Sequence, residues 1–224
     1  MTGKKWLALV FVSVGAVVAS VLLVLSIFQQ PTMQEMVPPT LATFFDTFDQ
    51  NHDNMIDIAE AQAFFNWCKA NIQYRYDDEG TQNPVQGIPV GDGRPGQDYW
   101  QKPIETYDER MGDCENMAIL NVAFYRYYGI SAYVATVNVE GEQVDHAVCI
   151  VKIGGTPQEA AGYLGEIVYY QMGDSYYMLV DVAYSNQFGS AGSSPGEASQ
   201  LLEAGRFIIQ DRITLEDAYK RSGA

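Results

Sequence analysis

Three side chains in this sequence have the types and the order that acyl transfer on a thiol requires, namely Cys114, His146 and Asp181. A cysteine thiolate attacks the carbonyl carbon, an imidazole takes the thiol proton and later protonates the leaving amine, and a carboxylate orients the ring. The chain has one other histidine, His52, which lies within the segment 49–60. Imidazole chemistry outside that segment must therefore use His146. The residue types and their order are those of a Cys-His-Asp triad.

The elements that must position this triad follow from the local pattern. Asp113 is a typical helix N-cap and Gly129 a typical C-terminal stop, so Cys114 is predicted to be the first residue of a helix. Unpaired N–H groups there favour a thiolate and can bind an oxyanion, so we expect a lowered pKa for this thiol. Alternating apolar residues predict strands over 131–139, 143–153, 166–172 and 175–182.

These residues also have ordinary structural interpretations, and their spacing alone does not decide between them. A cysteine on a helix is often a small core residue. A histidine can be satisfied inside an apolar strand, and Asp181 can be a structural carboxylate.

Residues 49–60 match the twelve-residue calcium-binding loop of an EF-hand. Oxygen ligands occupy positions 1, 3, 5, 7, 9 and 12, with a backbone carbonyl at position 7: Asp49, Asn51, Asp53, Met55, Asp57 and Glu60. Asn54 replaces the usual glycine at position 6, and asparagine tolerates the left-handed conformation needed there. Helical stripes of apolar residues flank the loop on both sides. The sequence therefore predicts calcium binding; the alternative is an acidic surface loop.

Segments around the triad resemble the transglutaminase-like superfamily, whose core is papain-like. The resemblance covers roughly residues 60–185 and rests on residues 66–74, 98–106, 112–120 and 129–134, together with Asp145-His146-Ala147 and Leu179-Val180-Asp181. It is closest to the bacterial and archaeal transglutaminase-like cysteine peptidases. Asn116, Ser131 and Tyr184 depart from the residues usual in that family.

This resemblance implies an α+β fold in which the nucleophile helix packs on an antiparallel sheet. It also implies that Cys114, His146 and Asp181 are the catalytic residues. An upstream aromatic or amide side chain contacts the oxyanion or the substrate in related folds, which points to Trp100 or Gln101.

The N-terminal segment predicts export to the far side of a membrane. Residues 6–28 carry no charge, and a helix of that length spans about 34 Å. Lys4 and Lys5 precede it and the next basic residue is Lys69, which places the N-terminus in the cytoplasm. We expect an uncleaved single-pass anchor with the C-terminal domain in the periplasm or outside the cell. A cleavable signal peptide is the alternative.

Composition excludes several other classes of protein. The net charge of −15 at pH 7 makes nucleic-acid binding unfavourable, because an acidic surface repels phosphates. Three cysteines and two histidines are too few, and too widely spaced, for a zinc site. A Cys68–Cys149 disulfide would suit an exported domain.

The sequence thus predicts four segments: an anchor at 1–30, a proline-containing tether at 31–39, an EF-hand-like segment at 40–62, and a transglutaminase-like domain at 63–224. The predicted function is thiol acyl transfer on protein or peptide amides, most simply as a cysteine peptidase. The alternative is a non-catalytic, calcium-stabilised subunit of a larger membrane protein complex.

Overall fold

The structure is a computed structural model that describes residues 30–75, 99–139, 146–190 and 207–222. The predicted membrane helix at 6–28 lies outside these residues, and none of the helices within them has the length and hydropathy to cross a bilayer. Residues Thr32–Ala224 form one compact unit, so the predicted boundaries at 39 and 62 both fall inside it.

The described ranges contain seven helices and seven strands. The helices are α1 (Met33–Met36), α2 (Pro39–Asp46), α3 (Ile58–Asn71), α4 (Pro103–Glu109), α5 (Cys114–Tyr127), α6 (Pro157–Leu164) and α7 (Leu215–Arg221). The strands are β1 (Gln73–Tyr74), β2 (Met111–Gly112), β3 (Ala132–Val139), β4 (His146–Lys152), β5 (Tyr169–Met172), β6 (Ser175–Val180) and β7 (Phe207–Ile213).

Five of the strands form an antiparallel sheet in the order β5-β6-β4-β3-β7. The short strands β1 and β2 pair in parallel as a separate two-stranded sheet. Helix α5 packs on β3 and β4. The predicted α+β arrangement, with the helix that begins at Cys114 lying on an antiparallel sheet, is confirmed.

Apolar side chains cover both faces of this sheet. The larger core lies on the helical side, where Leu120 and Phe124 of α5 are fully buried in the same cluster as Val134, Cys149 and Val180 of the sheet. The opposite face carries a second, smaller cluster that includes Val148, Ile150 and Leu179. Because successive residues of a strand point to opposite faces, β4 is apolar at every position after His146 until Lys152.

Aromatic rings join the helix–loop–helix segment to α5. Phe64 of α3 stacks on Phe124 of α5 with ring centroids 3.9 Å apart, and Phe45 of α2 meets both rings edge-on. Aromatic pairs of this kind contribute about 0.5–1.5 kcal/mol each beyond the burial of their surface. Helices α2 and α3 are therefore part of the same core as the predicted catalytic domain.

Several helices start at capping residues. Asp113 caps α5, as the sequence predicts, and Thr214 caps α7. The predicted tether differs, because Thr32 and Glu35 form a capping box that starts the one-turn helix α1 inside it. Helix α6 begins in the same way at Thr156 and was not predicted.

Candidate active site

His146 and Asp181 lie near the same ends of two neighbouring strands of the sheet. His146 begins β4, and Asp181 follows the last residue of β6. The Nε2 atom of His146 and the Oδ2 atom of Asp181 are 2.9 Å apart. Both side chains are buried, at 8% and 1% exposure. In this pair Nε2–H donates to the carboxylate, which fixes the ring orientation and leaves Nδ1 as the basic nitrogen.

The Asp181 carboxylate is itself held in place by the chain that follows it. Its Oδ1 atom accepts a hydrogen bond from the backbone N–H of Tyr184 at 3.0 Å. The backbone N–H of Asp181 donates to the carbonyl of Ser190, and the backbone carbonyl of Asp181 accepts from the N–H of Ser185. A carboxylate that is fixed on both sides can orient an imidazole at little entropic cost.

The Nδ1 atom of His146 is buried and has no hydrogen-bond partner among the residues that the structure describes. A buried polar atom without a partner is costly, and such atoms are concentrated at functional sites. Because Nε2 is paired with Asp181, Nδ1 is the ring nitrogen that is left to take a proton from a thiol.

Cys114 is the first residue of α5, as predicted, and it is half-buried. The backbone of Ala147, the residue after His146, lies close enough to the Cys114 thiol to lower its pKa. This contact brings the cysteine next to the strand that carries the histidine. The Sγ–H group donates to the Oε2 atom of Glu115 at 3.0 Å.

The pKa of Cys114 differs from the sequence-based expectation. Burial raises this pKa well above the ordinary value for a thiol, and the charge and hydrogen bond of Glu115 and the charge of Asp113 raise it further. The Ala147 backbone lowers it, by less. The expected lowering by the helix N-terminus is therefore outweighed, and the thiol at rest is protonated at neutral pH.

Gln101 ties the chain before the nucleophile to helix α5. Its backbone N–H donates to the Asn116 Oδ1 atom at 2.7 Å, and its side-chain amide bonds to Thr106 and Glu109. Asn116, one of the departures from the family pattern, thus has a structural role. A Cβ at Gly112 would lie 2.7 Å from the Asn116 Cβ, so this close approach requires glycine in the Gly-Asp-Cys sequence.

Trp100, the other predicted oxyanion or substrate contact, is 7% exposed and packs in the larger core. The Arg221 guanidinium lies 4.6 Å from the centre of its ring. Because the amide of Gln101 is already bonded and Trp100 is buried, the α5 N-terminus is the more accessible source of oxyanion donors. A role of Trp100 or Gln101 in substrate contact stays a prediction.

The predicted calcium loop connects α2 and α3. Asn54 has φ 58°, the left-handed conformation expected at position 6. The Asp49 carboxylate accepts from the N–H groups of Asp53 and Asn54, and the Glu60 carboxylate accepts from those of Gln50 and Asp57. Asp49 and Glu60 are buried.

The loop carboxylates accept hydrogen bonds from the loop's own backbone N–H groups, and they are not grouped as a set of metal ligands. In the described part of the chain, no group of three or more His, Cys, Asp or Glu side chains is placed to hold a metal ion. The six predicted ligands, Asp49, Asn51, Asp53, Met55, Asp57 and Glu60, stay a prediction.

The suggested Cys68–Cys149 disulfide is wrong, because both thiols are free. Cys68 lies on α3 and Cys149 on β4, and both are buried among apolar side chains of the larger core. Burial raises the pKa of both thiols, so neither competes with Cys114 as a reactive group.

Two contacts at the site were not predicted from the sequence. The Tyr184 ring lies against the His146 ring with centroids 4.7 Å apart, and its hydroxyl is 3.1 Å from that of Tyr74. The Glu115 carboxylate bonds to the thiol. The only sequence signals were that Tyr184 departs from the family pattern and that Glu115 directly follows the cysteine.

Three comparisons with known proteins show what this chain is similar to. Residues 48–157 match the family model described as a transglutaminase-like domain. A UPF0252 protein of Archaeoglobus fulgidus is 34% identical over 58 residues, which are 26% of this chain and 18% of that protein. A crystal structure described as a "Putative Cysteine Protease from Cytophaga hutchinsonii" aligns with 88% of this chain and 47% of its own, at 16% identity and a TM-score of 0.43.

The family model confirms the predicted resemblance for the stretch that holds Cys114 and His146. The chain spans less than a fifth of the Archaeoglobus relative and about half of the solved chain.

Proposed function

We propose that this transglutaminase-like domain is a thiol acyl-transfer enzyme acting on protein or peptide amides, most simply a cysteine peptidase. Cys114 is the nucleophile, His146 the base and then the acid, and Asp181 the residue that orients the imidazole. The observation that carries the proposal is the buried His146–Asp181 pair, 2.9 Å long, whose Nδ1 atom has no partner among the described residues while the Cys114 thiol lies beside the same strand.

The reaction starts when the Cys114 side chain turns from Glu115 toward Nδ1 of His146. The thiol proton passes to Nδ1, and the sulfur forms a bond to the amide carbonyl carbon. Collapse of the tetrahedral intermediate breaks the C–N bond, and the imidazolium gives its proton to the departing amine. The product on the enzyme is a thioester.

The second half of the reaction depends on the acyl acceptor. Water, deprotonated by His146, attacks the thioester carbonyl and releases a carboxylic acid and the thiol. A lysine amine in place of water forms an isopeptide bond, and the reaction then crosslinks two proteins. We favour water because the sequence resembles cysteine peptidases of the superfamily.

Alkylation of the full-length chain with iodoacetamide tests the proposal, with each cysteine quantified by peptide mass spectrometry. We expect Cys114 to react at pH 7, and His146→Ala to slow it by about tenfold or more because the imidazole no longer accepts the proton. The buried Cys68 and Cys149 are internal references that stay slow in both proteins.

A second function is favoured by one observation, the protonated, Glu115-bonded state of the Cys114 thiol. A chain whose thiol never leaves this state would be a non-catalytic subunit of a membrane protein complex. Equal, slow alkylation of Cys114 in the wild type and in His146→Ala would support this function and contradict the enzyme. Isolation of the native membrane protein at high calcium would then identify what copurifies.

We also propose that the loop at 49–60 binds calcium. The donors would be the carboxylate or amide oxygens of Asp49, Asn51, Asp53, Asp57 and Glu60 and the carbonyl of Met55, which are hard oxygen ligands of the kind that calcium prefers. The left-handed Asn54 and the burial of Asp49 and Glu60 support this proposal. A bound cation would offset the repulsion among the carboxylates and hold α2 against α3.

Calcium is expected to raise the melting temperature of the full-length chain by about 5–10 °C relative to excess chelator. Glu60→Gln should remove most of this difference, because it replaces the charged ligand at position 12. Glu166→Gln, at an exposed position outside the loop, should keep it. Identical melting curves for the wild type with calcium and with chelator would refute the site.

The N-terminal segment is proposed as a membrane anchor. The uncharged residues 6–28 and the preceding Lys4 and Lys5 support a single span with the N-terminus in the cytoplasm. The enzyme would then act in the periplasm or at the cell surface. Carbonate extraction of membranes, together with protease digestion of intact cells, tests both the anchoring and the side on which the domain lies.

A further inference from the structure

We propose that Tyr74 and Tyr184 act as a positioning pair that sets His146 relative to Cys114, an inference that rests on the proposed function. Each tyrosine belongs to a different half of the site. Their hydroxyl groups are 3.1 Å apart, and their ring centroids are 5.4 Å apart.

Tyr184 belongs to the half that carries the histidine and the aspartate. Its backbone N–H donates to Oδ1 of Asp181 at 3.0 Å, so the residue is anchored to the carboxylate that orients the imidazole. Its ring meets the His146 ring at an interplanar angle of 65° with centroids 4.7 Å apart. Tyr184 is 43% exposed while His146 is 8% exposed, which places the tyrosine ring on the solvent side of the imidazole.

Tyr74 belongs to the half that carries the nucleophile. It lies on β1, whose parallel partner β2 pairs Tyr74 with Gly112, two residues before Cys114. The backbone N–H of Arg75 donates to the Gly112 carbonyl at 2.9 Å, which fixes β1 to the start of the nucleophile helix. A displacement of Tyr74 is therefore coupled to a displacement of Cys114.

The hydrogen bond between the two hydroxyls joins these halves across the site. Cys114 follows β2, which pairs with β1, whereas His146 begins β4 and Asp181 follows β6 of the larger sheet. The transfer of a proton from sulfur to Nδ1 is sensitive to sub-ångström changes in their separation. The pair also limits rotation of the imidazole, because the Tyr184 ring packs against one side of it.

The test uses the full-length chain and measures the rate of Cys114 alkylation by iodoacetamide as a function of pH. Tyr74→Phe and Tyr184→Phe each keep the aromatic ring and remove the same hydrogen bond. Each variant should slow alkylation by about three- to tenfold, and the double variant should be no slower than either single variant. Multiplication of the two single effects in the double variant would contradict the pair.

Tyr184→Ala removes the ring as well as the hydrogen bond. We expect the alkylation profile to move toward higher pH by about half a unit to one unit, because water then reaches the imidazole and weakens its pairing with Asp181. Tyr184→Phe should restore the wild-type position of the profile. Tyr163→Ala, at a 79% exposed tyrosine on α6, is the matched control and should change neither rate nor profile.

The two proposals fail in different ways. If the wild-type rate does not depend on His146, the proposed function fails, and the positioning role that rests on it fails as well. If His146→Ala slows alkylation while all tyrosine variants keep the wild-type rate and profile, only the positioning role is overturned. Melting curves of the conservative phenylalanine variants establish that they are folded.

Discussion

Asp181→Asn is expected to abolish acyl transfer, with a fall of about three to four orders of magnitude in rate. The side-chain amide of asparagine can donate a hydrogen bond to Nε2 of His146, at the place where the carboxylate now accepts one. The ring proton then moves to Nδ1, and this nitrogen can no longer take the proton of the Cys114 thiol. The loss of the negative charge also removes the stabilisation of the imidazolium that forms in the reaction.

The measurement is the rate of thioester formation with an activated acyl ester, followed by intact mass of the full-length chain. Asp174→Asn is the matched control, because this aspartate is exposed in the turn between β5 and β6. The melting temperature of Asp181→Asn should stay close to that of the wild type, since asparagine is nearly isosteric with aspartate. A variant that is folded and still acylated at the wild-type rate would remove Asp181 from the mechanism.

Glu115→Gln is expected to increase the reactivity of Cys114 by about tenfold at neutral pH. The Glu115 carboxylate accepts the thiol proton in a hydrogen bond and places a negative charge beside the sulfur, and both effects raise the pKa of Cys114. The neutral amide removes the charge. The pKa of the thiol then falls, the thiolate fraction at a given pH rises, and the alkylation profile moves to lower pH.

The direction of this shift separates an electrostatic role of Glu115 from a structural one. Loss of packing alone would slow alkylation or leave its pH dependence unchanged, whereas loss of the charge must move the profile to lower pH. Glu166→Gln, an exposed change of the same type, should leave the profile in place. An unchanged profile in Glu115→Gln would mean that burial alone sets the pKa of Cys114.

The positions of the nucleophile and the base could be predicted because both depend on local signals. Asp113 and Gly129 limit the helix, and the run of apolar residues after His146 locates its strand. The pairing of His146 with Asp181 depends on the adjacency of β4 and β6, which is a tertiary property that spacing along the chain does not determine. The resemblance to the transglutaminase-like superfamily was the basis for expecting His146 and Asp181 to lie together.

The state of the thiol could not be predicted, because it depends on competing effects of similar size. The helix N-terminus lowers the pKa of Cys114, while burial and the neighbouring carboxylates raise it, and their balance depends on side-chain rotamers. The contact between Tyr74 and Tyr184 joins residues that are 110 positions apart. No local pattern predicts such a contact.

The stacking of Phe64 on Phe124 has a consequence for how this protein can be divided. Excision of α2 and α3 would leave a bare aromatic surface on the nucleophile helix, and the remaining chain would aggregate before it could react. The helices on either side of the predicted calcium loop and the helix that begins at Cys114 therefore share one core. An ion that binds the loop at 49–60 would therefore stabilise the same folded unit that holds the Cys114 thiol.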